Sequence, residues 1–289
     1  MRTNKHLLLA LAICTVTIFA KAQETPKSIV TLVNDTLVNN VKRGVSYGAN
    51  GVLQSSINSL KWNSWYYNWS TNKDNGEAVN LPGGSVFIPM VWSAKDVTDE
   101  NLNRAKTYGN SLLTFNEPDN KGQANMSVET AIELWPTIQN SGLRIGSPAV
   151  TDNADNDASG WLHNFMAQCA TKGYRVDFIC LHYYPGYFDA SDPVKAAHKM
   201  IASIEKVYSI YHKPIWITEF ALTCNGEKGA TMEQQIAFMK VAIPLINSLS
   251  YVEKYCWWTT WFYTWGDWHL SLVNKDGTLN DLGKTYISQ

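Results

Sequence analysis

The chain reads as a single (β/α)8 TIM barrel of the α/β class, and three observations carry that reading. From Val41 onward, eight short runs rich in β-branched and aromatic residues alternate with amphipathic stretches. Eight such units in roughly 250 residues match the size and order of that barrel. No Gly/Ser-rich or Pro-rich linker, low-complexity run or internal repeat divides them, so one domain is the better count. The rival architecture, an open doubly wound sheet, normally carries a glycine-rich phosphate loop after its first strand. Gly48-Ala49-Asn50-Gly51-Val52 does not fit that pattern.

Taken in order, residues 1–22 read as an export signal. Arg2 and Lys5 precede an apolar run from Leu7 to Ala20, and Ala20-Lys21-Ala22 offers small residues at both positions a signal peptidase reads. The run is too short to span a bilayer, which needs about 20 apolar residues, so a periplasmic or extracellular protein starting at Gln23 is expected. Residues 23–41 form a polar lead-in, and 42–289 form the barrel. The expected strands are 44–47, 65–69, 86–90, 112–115, 144–147, 177–181, 215–218 and 255–258. Thr98, Ser127 and Thr231 each put a capping hydroxyl just ahead of first-turn acids. Pro193, after Ser191-Asp192, stands where an N1 proline opens a helix running through Ile201, Ile204 and Val207.

Composition narrows the function. With 45% hydrophobic and 17% charged residues, and a formal charge of −1, the chain is globular and has no net field to attract nucleic acid or an anionic membrane. Twelve Trp, fourteen Tyr and nine Phe are unusual, because exposed rings are costly unless they bind something flat and apolar, such as a sugar or a nucleobase. Eight of these aromatics fall in the fourteen residues from Tyr255 to Trp268, too many to bury in one strand. They read as a stacking platform, with Trp257 or Trp258 near the reacting sugar.

Polar residues where barrel strands end have first claim on function. The fourth strand ends Phe115-Asn116-Glu117-Pro118-Asp119 and the seventh ends Thr218-Glu219-Phe220. These strands face each other across the barrel, so Glu117 and Glu219 can approach one substrate from opposite sides. Glycoside cleavage requires such a pair: one acid protonates the departing oxygen while the other attacks, or activates water to attack, the anomeric carbon. Asn68 and Trp69 at the second strand end and Trp92 at the third are candidate sugar contacts.

The segments Lys42-Arg43-Gly44-Val45-Ser46-Tyr47, Trp65-Tyr66-Tyr67-Asn68-Trp69, Phe87-Ile88-Pro89-Met90-Val91-Trp92, Phe115–Asp119 and Trp216-Ile217-Thr218-Glu219-Phe220 resemble glycoside hydrolase family 128. Its members are endo-acting β-1,3-glucanases and relatives of fungal alkali-sensitive linkage proteins. The resemblance runs from about Lys42 to Tyr286. It implies a retaining mechanism with Glu117 as acid/base and Glu219 as nucleophile, Asn116 on the 2-hydroxyl of the reacting sugar, no cofactor, and a β-glucan partner bound by a monomer. His182-Tyr183-Tyr184 at the sixth strand corresponds to a His followed by aromatics in the family, which implies a hydrogen-bonding role around Glu219. Alternation places His182 and Tyr184 on one face. The sequence departs from the family where a second tryptophan follows Trp257 and Trp261-Phe262 comes only after two threonines.

Other chemistries find little support. The histidines show no His-x-x-x-His pair or His-Glu-x-x-His, so no metal is expected, and Asp152, Asp155 and Asp157 miss the calcium-loop spacing. No Gly-x-Ser-x-Gly elbow occurs, and no motif places a His beside Cys224. Cys169, Cys180, Cys224 and Cys256 are compatible with disulfides or with buried thiols. Two alternatives stay open: a non-catalytic glycan-binding barrel, and the same retaining mechanism on another β-glycan such as a xylan or mannan.

Overall fold

The computed structural model describes residues 32–33, 36–37, 41–47, 64–73, 85–151, 160–185, 191–222, 229–260 and 269–289. Residues 1–22, expected to be an export signal, and Gly48–Val52, Asp152, Asp155, Asp157, Cys224, Trp261, Phe262, Tyr263, Trp265 and Trp268 lie outside them. Within the lead-in, Leu32–Val33 pairs antiparallel with Thr36–Leu37.

Eight parallel staves close into a ring. They are β1 (Arg43–Ser46), β2 (Trp65–Tyr67), β3 (Val86–Phe87 and Met90–Val91), β4 (Ser111–Asn116), β5 (Arg144–Ala149), β6 (Ile179–Tyr183), β7 (Ile215–Phe220) and β8 (Val252–Trp257). Successive staves pair, and β8 returns to β1 through Tyr255 opposite Arg43. Between β5 and β6 the link is a single bridge, Gly146 to Phe178. β3 is split at Pro89, which has no N–H to give a ladder: Val86–Phe87 pairs with β2, and Met90–Val91 with β4.

Six helices are described: α1 (Asp99–Lys106), α2 (Val128–Gln139), α3 (Trp161–Lys172), α4 (Pro193–Tyr211), α5 (Met232–Ser248) and α6 (Asp281–Ser288). The capping hydroxyls lie where the sequence puts them: Thr98, Ser127 and Thr231 accept from the backbone N–H of Asn101, Thr130 and Gln234. Pro193 opens α4 behind the Asp192 cap, and Ile201, Ile204 and Val207 are buried along it. These hydroxyls satisfy N–H groups that have no partner within the helix.

Apolar packing forms two layers. The larger lies between staves and helices. The smaller fills the barrel interior with Trp65, Tyr67, Ile88, Met90, Leu113, Ala149, Phe178, Cys180, Trp216 and Cys256. Phe178 stacks on Trp216 with ring centroids 4.1 Å apart, and Trp65 lies 5.9 Å from Trp216. At this N-terminal floor, Arg144 grips Glu253 through two bonds of 2.7 and 2.9 Å, and Trp216 Nε1 donates to Glu253 Oε2 at 2.7 Å. Lys254 Nζ sits 5.2 Å from the Trp216 ring centroid. Packed rings under charged side chains therefore close the floor.

Cys169, Cys180 and Cys256 are buried free thiols, so among the described residues the cysteines serve as packing rather than bridges. Burial pushes the Cys169 thiol up to about 12, far from reactivity at neutral pH.

Candidate active site

At the opposite end, where the staves finish, the strands deliver a cluster of polar side chains. β4 ends in Asn116, and Glu117 follows with φ 45, a left-handed conformation uncommon for a residue with a side chain. Its N–H donates to Ala149 O at 2.7 Å and its carbonyl accepts from Asn120 N at 3.0 Å, so the turn is fixed on both sides. Asp119 secures the same loop to the end of β5, accepting the Thr151 N–H at 3.0 Å and its hydroxyl at 2.5 Å.

Glu219 reaches the mouth through a β-bulge. Ile217 lies opposite Leu181, but Glu219 lies opposite His182, so two residues of β7 span one step of β6. Trp216 packs inward and Ile217 outward, and simple alternation would then turn Glu219 outward. The extra residue, Thr218, reverses the phase and aims Glu219 into the barrel.

Glu117, His182 and Glu219 are buried together, with one ligand-type atom of each within 4.8 Å of the others. His182 Nδ1 hydrogen-bonds Glu117 Oε1 at 2.9 Å, and its Nε2 faces Glu219 Oε1 at 3.5 Å. Burial works against charging this ring, but Glu219 and Glu117, with Asp119 behind them, outweigh it and hold its pKa above the ordinary 6.5. Glu219 Oε1 accepts from Trp69 Nε1 at 2.8 Å and from Tyr67 OH at 3.2 Å, while Oε2 accepts from Tyr184 OH at 2.5 Å. Burial, then the nearby Glu219 charge, hold both tyrosines well above their usual pKa, so they remain donors. By type, the Glu-His-Glu trio could ligate a metal; here Trp69, Tyr67 and Tyr184 direct hydrogen-bond donors at the Glu219 oxygens.

Comparison with known proteins decides what this arrangement belongs to. The family model described as "Glycosyl hydrolase catalytic core" matches residues 44–286. The crystal structure of a subgroup I family 128 endo-β-1,3-glucanase from Amycolatopsis mediterranei, in complex with laminaritriose, is 38% identical. It superposes with a TM-score of 0.76 over 86% of this chain and 99% of that one. The chain belongs to glycoside hydrolase family 128. A subgroup II endo-β-1,3-glucanase from Sorangium cellulosum is 28% identical, with a TM-score of 0.68 over 86% of this chain and 98% of that one. Alkali-sensitive linkage protein 1 of Schizosaccharomyces pombe is 27% identical over 259 residues, which are 86% of this chain and 44% of that longer protein.

In this family 128 glycosidase the other sequence candidates divide. Asn116 is buried beside Glu117; its Nδ2 donates to Gln123 Oε1 at 3.2 Å and its Oδ1 has no hydrogen-bond partner among the described residues. Trp92 and Trp258 are half-buried, Trp258 edge-on to Tyr184 with centroids 6.0 Å apart. Trp257 is corrected. It is fully buried in the outer layer against Phe220 and Phe238, and its indole N–H donates to Leu270 O at 3.0 Å. Cys256 points into the barrel, so its neighbour must point out. Asn68 falls between Tyr67 and Trp69; its Nδ2 donates to Asn72 O and Lys73 O, and its buried Oδ1 has no hydrogen-bond partner among the described residues. Tyr67 escaped the sequence reading. The available signal was the period of two that puts Trp65, Tyr67 and Trp69 on one face.

Proposed function

We propose that this glycosidase hydrolyses β-1,3-glucan internally by retaining double displacement, with Glu117 as acid/base and Glu219 as nucleophile. The observation that carries the proposal is that one oxygen of each buried carboxylate lies within 4.8 Å of the other across the mouth, which favours the shorter of the two spacings such pairs adopt. Retaining enzymes hold this pair about 5–5.5 Å apart, whereas inverting enzymes leave about 6.5–9.5 Å for a water. Substrate choice follows the Amycolatopsis and Sorangium endo-β-1,3-glucanases. Glu117 gives its proton to the leaving oxygen as Glu219 attacks the anomeric carbon; water, deprotonated by Glu117, then releases the sugar. The unpartnered Asn116 Oδ1 supplies an acceptor for the 2-hydroxyl, and Trp92 and Trp258 offer faces for apolar sugar surfaces. In this reading residues 1–22 export the enzyme to where such a polymer lies.

Proton NMR of laminari-oligosaccharide cleavage tests the mechanism: the β-anomer is expected to form first, and first-formed α-anomer would exclude retention. Glu117→Gln and Glu219→Gln should each lower turnover by at least about 10³-fold while oligosaccharide still binds. Near-normal release of reducing ends by either variant refutes the assignment.

A further inference from the structure

We infer that the indole N–H of Trp69 is a positioning group for Glu219: it holds the Oε1 edge of the carboxylate and leaves Oε2 as the oxygen that bonds to sugar. The inference rests on the reading of Glu219 as nucleophile and goes beyond it. The sequence offers Trp69 as a stacking face, yet its Nε1–H is directed at a buried anion, 2.8 Å from Oε1. The single Tyr67 hydroxyl proton lies between Thr218 O at 3.0 Å and this same oxygen at 3.2 Å, and His182 Nε2 faces the oxygen at 3.5 Å. Oε1 is thus the crowded oxygen of the carboxylate, with Trp69 its nearest donor. Oε2 accepts Tyr184 OH and keeps a lone pair for carbon.

Backbone geometry points the same way. Trp69 has φ 54, and Glu117 has φ 45. Two left-handed residues with side chains thus flank one carboxylate pair, and such conformations persist where the surroundings over-determine them. The Trp69 ring also packs on Tyr67 with centroids 4.9 Å apart, which fixes its direction. In the reaction, a lone pair of Oε2 forms the bond to the anomeric carbon while the glycosidic C–O bond breaks. The leaving oxygen takes the Glu117 proton. Water then adds to that carbon, returns a proton to Glu117, and the Oε2–carbon bond breaks with its electron pair returning to Glu219. The groups facing Glu219 are Tyr67 at the end of β2 and Trp69 just beyond it, Glu117 after β4, His182 and Tyr184 on and after β6, and the Cys256 thiol of β8.

The test is Trp69→Phe, which keeps a ring and removes the N–H. On a defined laminari-oligosaccharide, kcat should fall about 10- to 100-fold, the weight of one hydrogen bond to a charged group. KM should stay within about 2-fold, and the acid limb of kcat/KM should move to higher pH, because an anion has lost a donor. A rise in KM alone, with kcat and the pH profile unmoved, assigns Trp69 to sugar stacking and overturns the inference. A second measurement uses the unmodified enzyme trapped with an activated 2-deoxy-2-fluoro-glucosyl donor. The ester is expected on the oxygen beside Tyr184, with Trp69 still bonded to the other; an ester on the Trp69 side overturns the inference. Glu219→Ala with azide separates the underlying reading. No α-glycosyl azide removes Glu219 as nucleophile and this inference with it, whereas azide product beside an indifferent Trp69→Phe removes this inference alone.

Discussion

His182 stands between two carboxylates and uses both ring nitrogens to face them. When both carboxylates are ionised, either neutral tautomer would turn a lone pair toward an anion, so the doubly protonated ring suits that state, in agreement with its raised pKa. That has a sign in stability. A group whose pKa is higher folded than unfolded stabilises fully below the unfolded value, near 6.5, and loses that contribution as pH rises through the folded value. The melting temperature of His182→Asn should therefore lie furthest below that of the unmodified protein between about pH 5 and 6.5, and the gap should narrow on the alkaline side. Thermal denaturation across that range decides it; a gap that widens with pH would contradict the ionic role. Legibility at this level was uneven. Glu117, Glu219, His182 and Tyr184 stand at strand ends and could be read from position. The roles of Tyr67 and Trp69 depend on which way a donor points, and no composition or spacing encodes that.

The strands show how backbone count, more than side-chain identity, places the chemistry. Thr218 contributes one residue of phase to β7, and its hydroxyl makes only a 3.3 Å bond to Leu181 O. Moving the carboxylate to the other bulge position, by Thr218→Glu together with Glu219→Thr, should take it away from its donors and lower turnover by at least about 10³-fold, while Thr218→Val should stay within a few-fold of the unmodified rate. Parallel assays of both variants are sufficient; an active double variant would show that the register set by the bulge is incidental. All eight staves were legible because buried parallel strands are short, apolar and regularly interrupted. Their ends were less so: β7 and β5 run two residues past the sequence reading, and β3 breaks at Pro89. The bulge was not legible, because it is a register between β6 and β7 that neither strand specifies alone. The same period-two rule that explains His182 with Tyr184 places Trp257 in the outer layer, where the density of aromatics had hidden the alternation.

Barrel closure depends on the chain returning to its beginning. Arg43, buried at the start of β1, donates to Tyr286 O at 3.1 Å and Ile287 O at 2.9 Å, carbonyls of the last helix without helical partners. Tyr286 OH donates to Gly44 O at 2.6 Å, and Gly44 has no side chain because a Cβ there would meet the Trp65 ring at 2.1 Å. Arg43→Met should leave those carbonyls unsatisfied and destabilise by about 2–3 kcal/mol, with unchanged first-formed anomer and pH profile in the protein that remains folded. Denaturant titration measures the loss; a shift under about 0.5 kcal/mol would mean the helix closes the ring without the arginine. Finally, the packed rings of Trp65, Phe178 and Trp216 under Arg144, Glu253 and Lys254 leave no exit beneath the carboxylates among the described residues. A polymer has to lie over the rim like a cord across a bowl. Under the proposed internal double displacement, both severed ends would lift away on the side from which they came, and the water of the second step would enter by that same opening.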